Sequence, residues 1–271
     1  MQVFAVRPPK NNPLPILISV PHCGTTFPDE LKNQFQPELL SQPEDTDWFV
    51  HDLYDFAAEM GITLIHAVYS RYLIDLNRAP DNRQLYNDGR IQFGLVPAQT
   101  FSLKNLYRES ALQPTVDEIE RRKQIYYWPY YRKIEELLGD LQSQFRHVLF
   151  FDAHSIRHQI AAMKGQAFPD LILGDLDGQT ADAQLIRAAD QVLSKTGKYS
   201  YSHNHPFKGG HLTRYFGKPD TGIHALQLEM VQKIYMDEEN VCFTERKAQE
   251  VRKVLKTLIA HLSQQLEGMN A

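Results

Sequence analysis

Six short segments of this chain read as strands, and several are apolar at consecutive positions instead of alternating. They are PILISV (15–20), ITLIHAVY (62–69), RYLIDL (71–76), HVLFFDA (147–153), PDLILGD (169–175) and GIHALQLEM (222–230). A strand with one wet face alternates, whereas a continuous apolar run suits a strand covered on both faces. Helical periodicity fills the intervals. Residues 48–60 place Trp48, Phe49, Leu53, Phe56, Ala57 and Met60 on one side, with Gly61 as the stop. Residues 115–145 form a longer helical region that Pro129 should kink or divide. TADAQLIRAADQVLSKTG (180–197) is a capped helix, with Gly197 just past its end. Val251, Val254, Leu255, Leu258, Ile259, Leu262 and Leu266 make the apolar stripe of a C-terminal helix. The expectation is an α/β fold in a single domain over 1–271, a mixed central sheet with helices on both faces.

Charge and composition exclude several functions. The 29 basic and 33 acidic residues are interspersed, for a net charge of -4, so no general electrostatic hold on nucleic acid or an anionic membrane is expected. No apolar run approaches the roughly 18–20 residues of a membrane span. The two cysteines, Cys23 and Cys242, cannot build a disulfide framework, and the N-terminal stretch lacks the layout of a signal peptide. The expected location is the cytoplasm.

Two apolar runs end on histidine. ISVPHCG brings a strand to His22, and FFDAHSIRH brings another to Asp152, His154 and Ser155. Ligands of α/β proteins gather at the carboxyl ends of strands, and two imidazoles with a carboxylate make a catalytic metal site. Either histidine taken singly reads equally as a hydrogen-bonded loop residue. PEDTDWF offers Asp45 and Asp47; one can cap the following helix while the other binds metal, and spacing leaves the choice open. Arg71, Asn77 and Arg78 surround a strand end and can hold a carboxylate, with Asp75 bracing them and Arg83 on the surface. Glu229 lies in an otherwise apolar run, where burial would raise its pKa and suit a general base; the bland alternative is an edge glutamate facing water. The glycine-rich stretch 202–217 reads as a substrate-covering loop. It carries Arg214, a second anion contact, and a rival metal pair, His203 and His205, that no acidic residue completes. Cys23, next to His22, reads as packing.

Taken in order, SVPHCGTTFP, DTDWFVHDLYD, SRYLIDLNRAP, DAHSI, PFKGG and HALQLEM resemble the N-formylglutamate amidohydrolase family, within the wider zinc carboxypeptidase and aspartoacylase superfamily. The resemblance runs from about His22 to Glu229. It implies a carboxypeptidase-like fold and a zinc ion held by His22, Asp47 and His154. It further implies Glu229 as the catalytic glutamate, Arg71 as the oxyanion-stabilising arginine, and Asn77 with Arg78 as the carboxylate-binding pair. In the carboxypeptidases the acidic ligand lies three residues after the first histidine. That position here is Thr25, and the DTD stretch supplies Asp47 in preference to Asp45. The implied reaction is zinc-dependent hydrolysis of N-formyl-L-glutamate to formate and glutamate, a step of histidine breakdown. The partner is a small N-acyl amino acid. Rival readings are a zinc amidohydrolase or carboxypeptidase with another N-acyl substrate, and a non-catalytic carboxylate-binding module.

Overall fold

In the computed structural model, which describes residues 2–271, the apolar runs become the middle of a seven-stranded sheet. Its strands are β1 (Phe4–Arg7), β2 (Ile16–Val20), β3 (Thr63–Ala67), β4 (Val148–Ile156), β5 (Leu171–Gly174), β6 (Tyr201–His203) and β7 (Ile223–Val231). The spatial order is β1-β3-β2-β4-β7-β5-β6. The inner strands β3, β2, β4 and β7 run parallel, β1 pairs antiparallel to β3, and β5 pairs antiparallel to β7. The sheet is therefore mixed.

Helices cover both faces, as the continuous apolar runs require. Two short helices, α1 (Asp29–Lys32) and α2 (Pro37–Ser41), come first in the chain; on one side of the sheet α3 (Val50–Leu53), α6 (Ala183–Leu193) and α8 (Glu245–Asn270) pack Tyr54, Leu185, Leu255 and Leu258 against Ile18, Leu149, Phe151 and Leu228. On the other, α5 (Trp128–Gln142) sets Tyr130, Tyr131, Ile134 and Leu138 against Leu17, Val148, Phe150 and Ala225. Side chains alternate along a strand. The face that buries Phe150 and Ala225 thus carries Asp152 and His154 further along β4, and Gln227 and Glu229 further along β7.

Four segments depart from the sequence expectation. Residues 71–76 are not a strand. Tyr72, Leu73, Ile74 and Leu76 are buried, yet no ladder forms, because side chains meet their backbone groups. Arg122 donates to the Leu73 carbonyl (3.0 Å) and Tyr131 to that of Leu76 (2.7 Å). Residues 48–60 form only α3 and a 3-10 turn at Asp55–Ala57, since Phe49 takes a left-handed φ of 61° as it packs on Phe243. The stretch 202–217 is more regular than a loop, holding the end of β6 and the helix α7 (His211–Phe216). β1 has too short an apolar pattern to stand out. Pro129 does divide its helical region: α4 (Val116–Arg122) and α5 are joined by a widened turn at Lys123–Tyr127. Asp182 caps α6 through the Gln184 N–H (2.7 Å), and Gly197 follows its end at φ 63°. Among the described residues, no helix is long and apolar enough to cross a membrane.

At the amino end of β7, His224 is buried with its Nδ1 accepting the Asp182 N–H (3.1 Å) and its Nε2 beside His147 (3.1 Å). Burial, aided by His147, lowers its pKa to about 4. The unfolded chain takes up this proton near pH 6.5 and the folded one only near 4. Its stabilising contribution is therefore complete above 6.5 and is lost as the pH falls toward 4. Urea unfolding of His224→Gln beside the parent should show the parent's lead shrinking by about 2 kcal/mol from pH 7 to pH 5. A pH-independent difference would remove this account.

Candidate metal centre and cleft

Three neighbouring parallel strands aim at one place. β2 ends at Val20 and the chain turns to put His22 just beyond it, while His154 and Glu229 are direct register partners on β4 and β7. Asp47 comes from the loop before α3, and its own N–H donates to the His22 carbonyl (3.0 Å), so ligand and loop are tied together. One ligand atom each from His22, Asp47 and His154 lies within 4.8 Å of the others, and all three residues are buried.

The hydrogen bonds leave a consistent set of atoms facing inward. His22 Nε2 contacts Asp75 Oδ1 (2.8 Å), which leaves Nδ1 toward Asp47 Oδ2 (3.8 Å). His154 Nε2 lies beside Asp152 Oδ2 (3.1 Å), and its Nδ1 is 3.1 Å from the same Asp47 oxygen. Metal-binding histidines usually have their far nitrogen held by a carboxylate, as both do here. Two imidazole nitrogens and one carboxylate oxygen, all shielded from water, fit a divalent cation with open positions.

Electrostatics follow the same layout. Burial and the Arg71 charge lower the His22 pKa against the pull of Asp75 and Asp47, so its imidazole is neutral and its Nδ1 lone pair available. Burial also opposes charge on His154, but Asp152 and Asp47 outweigh it and hold its pKa well above the usual value. Asp75 is buried too. Arg71 (Nη2 to Oδ2, 2.6 Å), His22 and Arg78 overcome that penalty and keep it ionised, well below the ordinary range. Glu229 differs from these acids: it has no hydrogen-bond partner among the described residues, and burial pushes its pKa up to about 8.

A cleft of roughly 810 Å³ opens over this group. His22, Asp47, Arg71, Asn77, Arg78, His154 and Glu229 all line it. Arg71 is fixed at its base by Asp75 and by the Asp45 carbonyl (3.3 Å), with its guanidinium over Phe101 (4.8 Å). Arg78 donates from Nε to the Phe93 carbonyl (3.1 Å) and from Nη1 to that of Asn77 (3.1 Å). The Asn77 amide is occupied at both ends, with Oδ1 accepting the Leu212 N–H (2.7 Å) and Nδ2 donating to Asp152 Oδ2 (3.5 Å), the carboxylate that holds His154 Nε2. Gly210 sits so close that a Cβ there would lie 2.2 Å from Asn77 Nδ2, which only glycine allows. Asn77 braces α7 and β4 where free substrate-binding groups were expected.

Other candidates lie elsewhere. Asp45 stands outside the ligand group, its Oδ2 accepting the Phe101 N–H (2.9 Å), and burial raises its pKa to about 7. Arg214 does not line the cleft, contrary to expectation: its Nε donates to the Gly209 carbonyl (3.0 Å) and its Nη1 to that of Leu85 (3.0 Å). Among the described residues, His203 and His205 belong to no group of three or more ligand atoms close enough to hold a metal, and His203 Nε2 is hydrogen-bonded to Asp175 (2.7 Å). Cys23 is buried, and burial pushes its thiol pKa upward, so it packs and does not attack. Sequence reasoning missed Arg90, which lines the cleft beside Tyr86. Its one sequence signal is an arginine set between aromatic residues in a segment without periodicity.

Two outcomes test this geometry. Asp75→Asn should weaken metal binding about 10- to 100-fold in chelator competition, because His22 loses the charge that orients it; an affinity within twofold of the parent would count against that role. A thiol reagent should titrate Cys242 alone in the native protein and both cysteines in denaturant. Two fast native thiols would contradict the packing of Cys23.

The chain as a whole is similar to known proteins. The model of the N-formylglutamate amidohydrolase family matches residues 14–236. An N-formylglutamate deformylase of Pseudomonas putida is 39% identical over 250 residues, covering 92% of each chain. One of Pseudomonas aeruginosa is 37% identical over 254 residues, covering 93% of this chain and 94% of its own. A crystal structure of an N-formylglutamate amidohydrolase from Ralstonia eutropha superposes with a TM-score of 0.84 at 25% identity, over 98% of this chain and 99% of that one. On the family model's span and these identities over nearly full length, the chain belongs to the N-formylglutamate amidohydrolase family.

Proposed function

We propose that this protein hydrolyses N-formyl-L-glutamate to formate and L-glutamate in the cytoplasm, with one zinc ion held by His22, Asp47 and His154, as a step of histidine breakdown. One observation carries the reading: the buried His22–Asp47–His154 group stands beside an unpaired Glu229 in a cleft lined by arginines, in a chain of this family. The donor set suits zinc, which takes nitrogen and oxygen ligands readily. When bound, zinc supplies Lewis acidity, lowering the pKa of a ligated water toward about 7 and polarising the formyl carbonyl.

The chain's own residues do the rest. Glu229 removes a proton from the attacking water as it adds to the formyl carbon. Burial raises its pKa, so once it has taken that proton it is an acid able to return it to the departing nitrogen as the C–N bond breaks. Arg71, immobilised by Asp75, offers positive charge to the developing oxyanion without having to reorganise. Arg78 holds the α-carboxylate through the guanidinium nitrogen that its backbone contacts leave free. Asn77 acts at one remove, keeping Asp152, which holds His154, and α7 in place.

Formate release from N-formyl-L-glutamate should vanish when the protein is stripped by chelator and return with zinc. Glu229→Gln should lower kcat by about 100- to 10,000-fold and leave zinc content unchanged. Turnover that survives complete metal removal would overturn this reading.

A further inference from the structure

We propose that Arg90 is the specificity-determining residue that reads the side-chain carboxylate of the substrate, so that Arg78 and Arg90 divide two carboxylates between them. The inference rests on the deformylase reading and adds what selects the amino acid.

Charge in the cleft is the starting point. Arg71, Arg78 and Arg90 all line it, facing the carboxylates of Asp47 and Glu229. Arg71 is committed at the base to Asp75 and the Asp45 carbonyl. Arg78 keeps Nη2 and Arg90 keeps Nη1 without a partner among the described residues, where a ligand with one carboxylate needs only one guanidinium. A dianion answers both.

Arg90 is built to act without rearranging. Its guanidinium carbon lies 4.0 Å from the centre of the Tyr86 ring and 5.9 Å from that of Phe207. Nη2 donates to the Pro206 carbonyl (3.0 Å), and Nε (2.9 Å) and Nη2 (2.5 Å) both donate to the Asp88 carboxylate. Nη1 has no partner among the described residues. The platform is itself anchored, since the Tyr86 hydroxyl accepts the Lys208 N–H (3.0 Å) and donates to the Gly209 carbonyl (3.4 Å). A guanidinium already stacked and tethered loses little freedom on binding, and its Nη1 is left to donate to a carboxylate. Asp88, the competing anion, is about half exposed at 47%, so water weakens its hold. The neighbouring wall is apolar, with Phe93, Ile160, Met163 and Phe207, which strengthens a charge pair formed against it.

Arg214 shares the Tyr86 ring, at 5.2 Å, but lies off the cleft with two of its nitrogens on backbone carbonyls. Of the two cations on that ring, only Arg90 can meet the substrate.

The test compares a carboxylate with its neutral isostere. Binding of L-glutamate and L-glutamine to the zinc-loaded protein is measured by calorimetry, and KM and kcat are measured for their N-formyl derivatives. The parent should prefer the carboxylate by about 10- to 100-fold. Arg90→Gln should erase that preference through KM, with kcat nearly unchanged and the glutamine compounds affected less than about threefold. Arg90→Lys, which keeps the charge but not the fork, should retain part of it. A preference that survives Arg90→Gln overturns the assignment, as does an equal loss on both compounds. If the parent binds glutamate with this preference and Arg90→Gln abolishes it, but no formate is released, the assignment to Arg90 stands and the deformylase reading falls.

Discussion

The carboxylate of Asp75 is the interaction on which the rest of the site depends. From a position shielded from water it accepts from His22 Nε2, from Arg71 Nη2 and from the Asn77 N–H (2.8 Å). A buried anion with fewer partners would be strongly unfavourable. With three, it fixes the tautomer of one histidine of the candidate metal group, the position of one arginine and the course of the loop that carries another. Removing it would leave Arg71 charged and buried with no opposite charge in contact, which is more damaging than losing one hydrogen bond.

The sheet supplies the other half of the arrangement. β2, β4 and β7 are neighbours and parallel, so their carboxyl ends fall together although they are far apart in sequence. Register then makes His154 and Glu229 adjacent without any loop having to bring them there. Side chains on rigid strands hold position better than side chains on loops, which is where catalysis demands precision. Loops supply what tolerates adjustment: Asp47, Arg78 and Arg90.

Much of this was legible in the sequence. Continuous apolar runs gave five of the seven strands, because burial on both faces leaves a strong signal. His22 and His154 stood out as polar residues ending such runs. The choice of Asp47 over Asp45 did not follow from spacing, since both precede the same helix and both are good caps; contacts from distant segments, His22 to one and Phe101 to the other, separate them. Arg90 was invisible for a related reason. Its segment has no periodic pattern, and its place in the cleft depends on Tyr86, Pro206 and Phe207. β6 and α7 were missed because they are short and set among glycines, where tertiary contacts and not local propensity decide the conformation.

The misreading of residues 71–76 as a strand is the most informative difference. In a strand, period-two alternation would send Asp75 and Asn77 to one face and Leu76 and Arg78 to the other. The site needs a different distribution. Asp75 turns to His22 and Arg71, Leu76 goes into the core, Asn77 reaches across to Asp152 and α7, and Arg78 lines the cleft. Four consecutive residues with four separate destinations are incompatible with a ladder. The chain can give up the ladder because buried side chains of α4, α5 and the widened turn between them take over its hydrogen bonds: Arg122 at Leu73, Tyr131 at Leu76 and Tyr127 at Arg78. Those helix residues look like ordinary packing in the sequence. In the folded protein they release this segment from sheet geometry and so make the asymmetric site possible.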